Sequence, residues 1–119
     1  MNRPSLSLDA FIEEAGTRLQ REGLSEKVRV DLSAPRSGTV SLDYLEVIDP
    51  ISRRQGLGTR ALLLLLQISD ESGIALIVIP RSLNGSMDDD ALAAWYGHHG
   101  FKLAPTLETP RLMRRDPSL

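Results

Sequence analysis

Hydrophobic residues follow two different spacings in the first 48 residues. Between residues 8 and 24 they recur at helical intervals, which predicts an amphipathic helix capped by Asp9 and ended by Gly23. Apolar and polar residues then alternate over residues 27–32, as in a half-buried strand, and residues 40–48 form a second strand-like run. The Pro-Arg-Ser-Gly turn between the two runs predicts an antiparallel hairpin.

The middle of the chain is its most apolar part. Residues 57–72 form a helical pattern that is apolar around much of its circumference and stops before Gly73. Residues 74–79 are a continuous, β-branched apolar run, which is typical of a central strand covered on both faces. Together with the strand at 40–48, these segments predict a parallel strand pair joined by a right-handed helical crossover.

The last third of the chain predicts one more helix and two short strands. Asp88 or Asp89 can cap the helix, and Gly100 can end it in the left-handed conformation. Residues 101–103 and 111–114 are expected to form an antiparallel pair, and the basic run at 111–115 suggests a solvated edge strand. The whole order predicts a single α/β domain over residues 1–119, with a mixed sheet flanked by helices.

Composition narrows the classes of protein. Apolar residues make up 41% of the chain and charged residues 25%, with a net charge of −2, so nothing indicates a nucleic-acid partner. The absence of cysteine excludes a disulfide scaffold and a cysteine nucleophile. The longest unbroken apolar run, residues 61–66, is too short to span a membrane, and the first five residues do not lead into a signal-peptide core. We therefore expect a cytoplasmic protein without a membrane partner.

The sequence Arg-Arg-Gln-Gly-Leu-Gly at residues 53–58 carries the strongest chemical signal. It lies between a predicted strand and the start of a predicted helix, where several backbone N–H groups and the positive end of the helix dipole face one point. Such a turn suits a phosphate or pyrophosphate, and its two glycines allow the ligand to approach the backbone. Because no Gly-Lys-Ser/Thr follows and a third glycine is missing, it is neither a P-loop nor a good dinucleotide fingerprint.

Two motifs together resemble the GNAT superfamily of N-acetyltransferases. The first is an apolar strand end, a proline and then Arg/Gln-x-x-Gly-x-Gly/Ala at a helix start, here residues 47–59. The second is aromatic-Tyr-x-x-x-Gly-Phe, here residues 95–101, about forty residues later. The resemblance covers residues 40 to the C-terminus and implies a GNAT-like fold whose splayed parallel strands hold acetyl-CoA.

The resemblance also implies roles for particular residues. The cofactor would be held by the end of the strand and the turn that follows, namely Val47, Ile48, Arg53, Arg54, Gln55, Gly56, Leu57, Gly58 and Thr59. Tyr96 matches the family tyrosine that protonates the departing thiolate. An amine acceptor, either a small molecule or a protein, would attack the thioester directly. No metal is implied, and the adjacent His98 and His99 point about 100° apart on a helix, which suits a shared ion poorly.

The general base is not fixed by any family motif. Glu46, next to Val47 on the strand before the turn, is the first candidate, and Asp43 is a weaker one. Tyr44 could help to position the acceptor. Some such group is needed because an aliphatic amine with a pKa of about 10.4 is mostly protonated at neutral pH.

Some features depart from the family pattern and leave alternatives open. The family often has an asparagine where this chain has Asp89, which we interpret as a helix cap. The N-terminal half is short for the family, so a homodimer partner could complete the acceptor site. Tyr96 could also serve only in core packing. The alternatives are a non-catalytic acyl-CoA-binding module and a small protein-interaction domain whose glycine turn is structural.

Overall fold

A computed structural model describes residues 8–36, 38–48, 56–80 and 88–118. Over these residues the chain forms three helices and five strands in the predicted order. The elements are α1 (Leu8–Arg21), β1 (Val28–Arg36), β2 (Thr39–Val47), α2 (Leu57–Ser72), β3 (Ala75–Val78), α3 (Asp89–His98), β4 (Lys102–Leu103) and β5 (Met113–Arg115).

Helix α1 buries one face and ends three residues earlier than the periodicity predicts. Its buried side chains, Phe11, Ala15 and Leu19, follow the predicted spacing. Gly23 adopts a left-handed conformation with φ of 72°, and the amide of Leu24 donates to the carbonyl of Leu19 at 2.8 Å. This closing turn uses the carbonyls of the last helical turn, so Leu24 leaves the helix and packs in the core instead. The predicted cap, Asp9, lies in the first turn.

The sheet is mixed, with the strand order β1-β2-β3-β5-β4. The β1–β2 hairpin is antiparallel, β2 and β3 are parallel, and the β4–β5 pair is antiparallel, all as predicted. The prediction that the basic run forms an edge strand is wrong, because β5 lies between β3 and β4. An internal strand tolerates these arginines because Arg114 pairs with Asp116 and Arg115 pairs with Asp70.

Helix α2 contributes more buried residues than any other described element, and its bounds agree with the prediction. Ala61, Leu62, Leu65 and Ile68 have no exposed surface, because the helix packs against both the sheet and α1. Gly73 ends it with φ of 72°. Among the described residues, no helix is long and apolar enough to cross a lipid bilayer.

One ion pair connects the end of α2 to the C-terminal strand. Both carboxylate oxygens of Asp70 accept from the guanidinium of Arg115, at 2.9 and 3.3 Å, and Oδ1 also accepts from the amide of Ser118 at 2.7 Å. The hydrogen bond from Arg115 holds the pKa of Asp70 below its ordinary value. This pair therefore fixes α2 against the internal strand β5 and the residues that follow it.

We expect Asp70→Asn to lower the free energy of unfolding at neutral pH by about 1–2 kcal/mol, after allowance for partial solvent screening. The lowered pKa means that the pair stabilises the protein above the ordinary pKa of an aspartate, about 3.9, and that this contribution is lost as the pH falls through the lowered value. Urea unfolding at neutral pH and near pH 3 measures both effects.

Asp90→Asn is the matched control, because the side chain of Asp90 is 96% exposed in its ion pair with Arg111. Its cost should stay well below 1 kcal/mol. Equal losses in the two variants would show that the Asp70 pair contributes nothing particular to the fold.

Candidate functional site

The start of α2 has the geometry expected of an anion cradle. Gly56 is the N-cap residue, is exposed, and adopts a left-handed conformation with φ of 72° that residues with a side chain rarely take. No side chain among the described residues caps the helix start, and a Cβ added at Gly56 would meet nothing within 4 Å. Backbone N–H groups at such a start have no intrahelical partner and are available to an anion.

The side of this cradle is formed by the end of β2. A Cβ added at Gly58 would lie 3.6 Å from Cγ2 of Val47, so the helix start and the strand end are in close contact. Leu57 anchors the contact in a cluster with Leu24 and Ala61, against which Val47 also packs. Thr59 is half-buried in the first turn of the helix. The structure thus brings together Val47 and residues 56–59, whereas the predicted Arg53, Arg54 and Gln55 lie outside the described residues.

Within the described residues, the backbone at the end of β2 is bonded on one side only. The amide of Ile48 donates to the carbonyl of Lys27 at 2.8 Å, so this N–H is engaged within the hairpin. Because successive residues of a strand point their backbone groups to opposite sides, the N–H and C=O of Val47 point away from β1. Of the two residues predicted to pair with the cofactor arm, Val47 is the one with backbone groups on the open side of β2.

A β-bulge at Asp43 explains why that side is open. Tyr44 pairs with Asp31, but Leu42 pairs with Leu32, so Asp43 is one extra residue in β2. The parallel ladder with β3 covers Thr39 to Leu42 and ends beside the bulge, while β2 continues to Val47 paired with β1.

This bulge was not predicted, although the sequence carries a signal of it. The inward-facing apolar residues change from even positions, Val40 and Leu42, to odd positions, Leu45 and Val47. A strand without an extra residue would keep these side chains on alternate faces rather than on one.

Tyr96 lies in an aromatic cluster at the end of α3. Its ring is 4% exposed and meets Trp95 and Phe101 edge to face, with centroid distances of 5.0 and 5.3 Å. Its hydroxyl forms no hydrogen bond within the described residues. Since every buried side-chain oxygen described there has a partner, this hydroxyl keeps some contact with solvent. Burial raises the pKa of Tyr96 well above its ordinary value, so the phenol stays protonated at physiological pH.

The helix that carries Tyr96 is capped by Asp88. Its Oδ1 accepts from the amide of Ala91 at 2.6 Å. The interpretation of Asp89 as the cap is therefore wrong, because Asp89 is the first residue inside the helix. A carboxylate in this first turn is stabilised by the helix dipole.

Glu46 lies on the other face of the sheet from Val47. Its Oε2 accepts from the Tyr44 hydroxyl at 2.6 Å, and this bond raises the pKa of Tyr44. No contact among the described residues joins Glu46 to Tyr96. Within the same residues, no three histidine, aspartate or glutamate side chains gather in a way that could hold a metal ion.

Comparison with known proteins identifies the fold. No protein-family model matches the sequence, and no curated protein is similar to it. Solved structures do match, among them the anti-CRISPR protein AcrVA5, with a TM-score of 0.61 and 22% identity over 75% of this chain and 90% of that one. The ribosomal-protein-S18-alanine N-acetyltransferase from Escherichia coli matches with a TM-score of 0.56 and 19% identity over 98% of this chain and 93% of that one. The PaiA N-acetyltransferase from Thermoplasma acidophilum, in complex with coenzyme A, matches with a TM-score of 0.57 and 16% identity over 88% of this chain and 69% of that one. The chain has the fold of the GNAT superfamily of N-acetyltransferases.

Proposed function

We propose that this protein is an N-acetyltransferase that transfers the acetyl group of acetyl-CoA to an amine. The observation that carries the proposal is the glycine-led start of α2 packed against the open end of β2. A strand end with unpaired backbone groups next to free helix amides suits an extended ligand with a pyrophosphate at one end. The similar structure that contains coenzyme A supports this choice of ligand.

In this proposal each part of the cofactor meets a different part of the site. The amides of residues 56–59 hold the pyrophosphate, and Arg53, Arg54 and Gln55 add contacts to it. The pantetheine arm runs along the open side of β2, bonded to the backbone at Val47 and following the strand to Ile48. Gly58 lets the start of α2 lie close to the end of β2, since its position carries no side chain.

The proposed reaction is a direct attack on the thioester. The acceptor arrives as an ammonium ion, and Glu46 takes a proton from it. The neutral nitrogen attacks the thioester carbonyl, the resulting nitrogen cation loses a second proton, and the C–S bond breaks as the tetrahedral intermediate collapses. The thiolate of coenzyme A gains one proton, so one proton is released to solvent for each acetyl group transferred.

Tyr96 serves in this proposal as a hydrogen-bond donor to the departing sulfur. A thiol has a pKa of about 8.5 and an ordinary phenol about 10, and burial raises the pKa of Tyr96 further. Complete proton transfer from Tyr96 to the thiolate is therefore uphill. A protonated phenol still stabilises the developing negative charge by hydrogen bonding, which is the transition-state contribution expected of an oxyanion-type donor.

Acetyl-CoA should raise the thermal midpoint of the protein, whereas ATP and NAD should not. A ligand at 100 times its dissociation constant adds about 2.7 kcal/mol, which corresponds to roughly 5–10 °C for a domain of this size. Gly56→Asp should abolish the increase, because it places a negative charge where the pyrophosphate would bind. Differential scanning fluorimetry of both proteins, with and without each nucleotide, makes the measurement.

Gly56→Ala is the control, since it carries the same backbone strain, about 1 kcal/mol, without the charge. This variant should unfold at a lower temperature than wild type, but acetyl-CoA should still raise its thermal midpoint by much of the wild-type amount. If wild type shows no increase at millimolar acetyl-CoA, the glycine turn is structural and the protein-interaction alternative is the better one.

Tyr96→Phe should reduce kcat by about 10- to 1,000-fold and leave the affinity for acetyl-CoA unchanged, because only a donor to the leaving group is lost. It should change the free energy of unfolding by less than about 0.5 kcal/mol, since the hydroxyl has no partner within the described residues. Steady-state kinetics, calorimetric titration and urea unfolding measure the three quantities.

Phe101→Leu is the control for the aromatic cluster, because it removes a ring that packs on Tyr96 and retains the Tyr96 hydroxyl. Its main effect should be a lower free energy of unfolding, with little change in kcat. Unchanged turnover in Tyr96→Phe would favour a role in packing, and binding of acetyl-CoA without any turnover in wild type would favour the acyl-CoA-binding module.

A further inference from the structure

Four side chains form a connected set on the face of the β1–β2 hairpin that carries Glu46. They come from two cross-strand pairs, Arg29 with Glu46 and Asp31 with Tyr44. The Nε and Nη2 atoms of Arg29 donate to Oδ2 of Asp31 at 3.1 and 2.9 Å. The guanidinium of Arg29 lies 4.2 Å from the centre of the Tyr44 ring, and the Tyr44 hydroxyl donates to Oε2 of Glu46. We call this set the hairpin relay.

Stability alone gives little reason for such an ordered set. The side chains of Arg29 and Asp31 are 54% and 48% exposed, and ion pairs of this exposure contribute little to folding. Yet each member of the hairpin relay restricts the next one. Asp31 fixes the plane of Arg29, Arg29 covers one face of the Tyr44 ring, and the phenol then has a set direction toward Glu46.

We propose that Tyr44 is a positioning residue that holds the carboxylate of Glu46 in place to accept the proton of the acceptor amine. The proposal rests on the proposed function, in which Glu46 is the general base. A carboxylate has about four acceptor positions, so a bond to one oxygen orients the group without exhausting it. Because Glu46 and Val47 are adjacent in β2, they face opposite sides of the sheet. The acceptor would thus approach Glu46 from the face opposite the core.

The charges on this face also favour a cationic acceptor. On the hairpin itself, Asp31, Asp43 and Glu46 supply three carboxylates against the one guanidinium of Arg29. The strand register places two further basic residues on this face of the sheet, Arg114 on β5 and Lys102 on β4, and Arg114 pairs with Asp116. The resulting negative potential attracts an acceptor that arrives as an ammonium ion. Tyr44 has a second effect, because a hydrogen bond donated to a carboxylate favours its ionised form. The hairpin relay thereby keeps Glu46 ionised when the acceptor arrives.

The test compares Tyr44→Phe with wild type by two independent readouts. The first is the carbon-13 NMR titration of glutamate side chains in the full chain, with the Glu46 signal assigned from Glu46→Gln. The second is the pH profile of kcat/KM for acetylation of spermidine and of a lysine-containing peptide. Tyr44→Phe removes only the hydroxyl and keeps the ring that Arg29 covers, so the fold should be retained.

We expect the Glu46 titration in Tyr44→Phe to move to higher pH, together with the acid limb of the rate profile. Activity at neutral pH should fall about 3- to 10-fold, as the loss of one hydrogen bond implies. Acetyl-CoA should raise the thermal midpoint of Tyr44→Phe as much as that of wild type, since Tyr44 does not face the cofactor site. Both pH shifts together support the proposal.

Ser41→Ala is the matched control, because its hydroxyl also donates to a carboxylate on β2, Oδ1 of Asp43 at 2.7 Å. It should leave both profiles unchanged. The proposal fails if the Glu46 titration is the same in Tyr44→Phe and wild type, or if Ser41→Ala rather than Tyr44→Phe moves the rate profile, which would make Asp43 the base. If acetyl-CoA does not raise the thermal midpoint of wild type, the proposed function itself is refuted.

Discussion

The burial of α2 against the sheet fixes the position of the candidate cofactor site. Ala61, Leu62, Leu65 and Ile68 have no exposed surface, and burying a side chain of this kind is worth about 1.5–3 kcal/mol. Because the helix can occupy only the position that buries these residues, its first turn is fixed relative to the end of β2. The contact between Gly58 and Val47 is a consequence of core packing, so the core holds the candidate cofactor site in place.

The bulge divides β2 into two parts that differ in their strand pairing. Up to Leu42, β2 is an internal strand that pairs with β1 and β3. After Asp43 its partner among the described strands is β1 alone, so the backbone of Val47 points to an open side while its side chain still packs under α2. One inserted residue therefore converts a closed sheet into one with a free strand edge at the start of the helix.

The candidate chemistry is divided between two environments. Tyr96 is surrounded by aromatic rings in the core, where burial keeps its phenol protonated. Glu46 lies on the polar face of the hairpin, where its carboxylate accepts a hydrogen bond from the Tyr44 hydroxyl. The proposed reaction needs a protonated hydrogen-bond donor and a proton acceptor at neutral pH, and such a separation lets the two groups differ in protonation.

The resemblance of residues 47–59 and 95–101 to the GNAT superfamily rests on motif spacing in the sequence. The sequence also predicted the order of the elements, the bounds of α2 and the parallel β2–β3 pair, because these depend on local periodicity and glycine positions. It did not place β5 inside the sheet, choose Asp88 over Asp89 as the cap, or show the bulge at Asp43. Nor did it assemble the hairpin relay. These features emerge in the folded chain, because strand order, register and the meeting of side chains across strands depend on contacts between residues that are far apart in sequence.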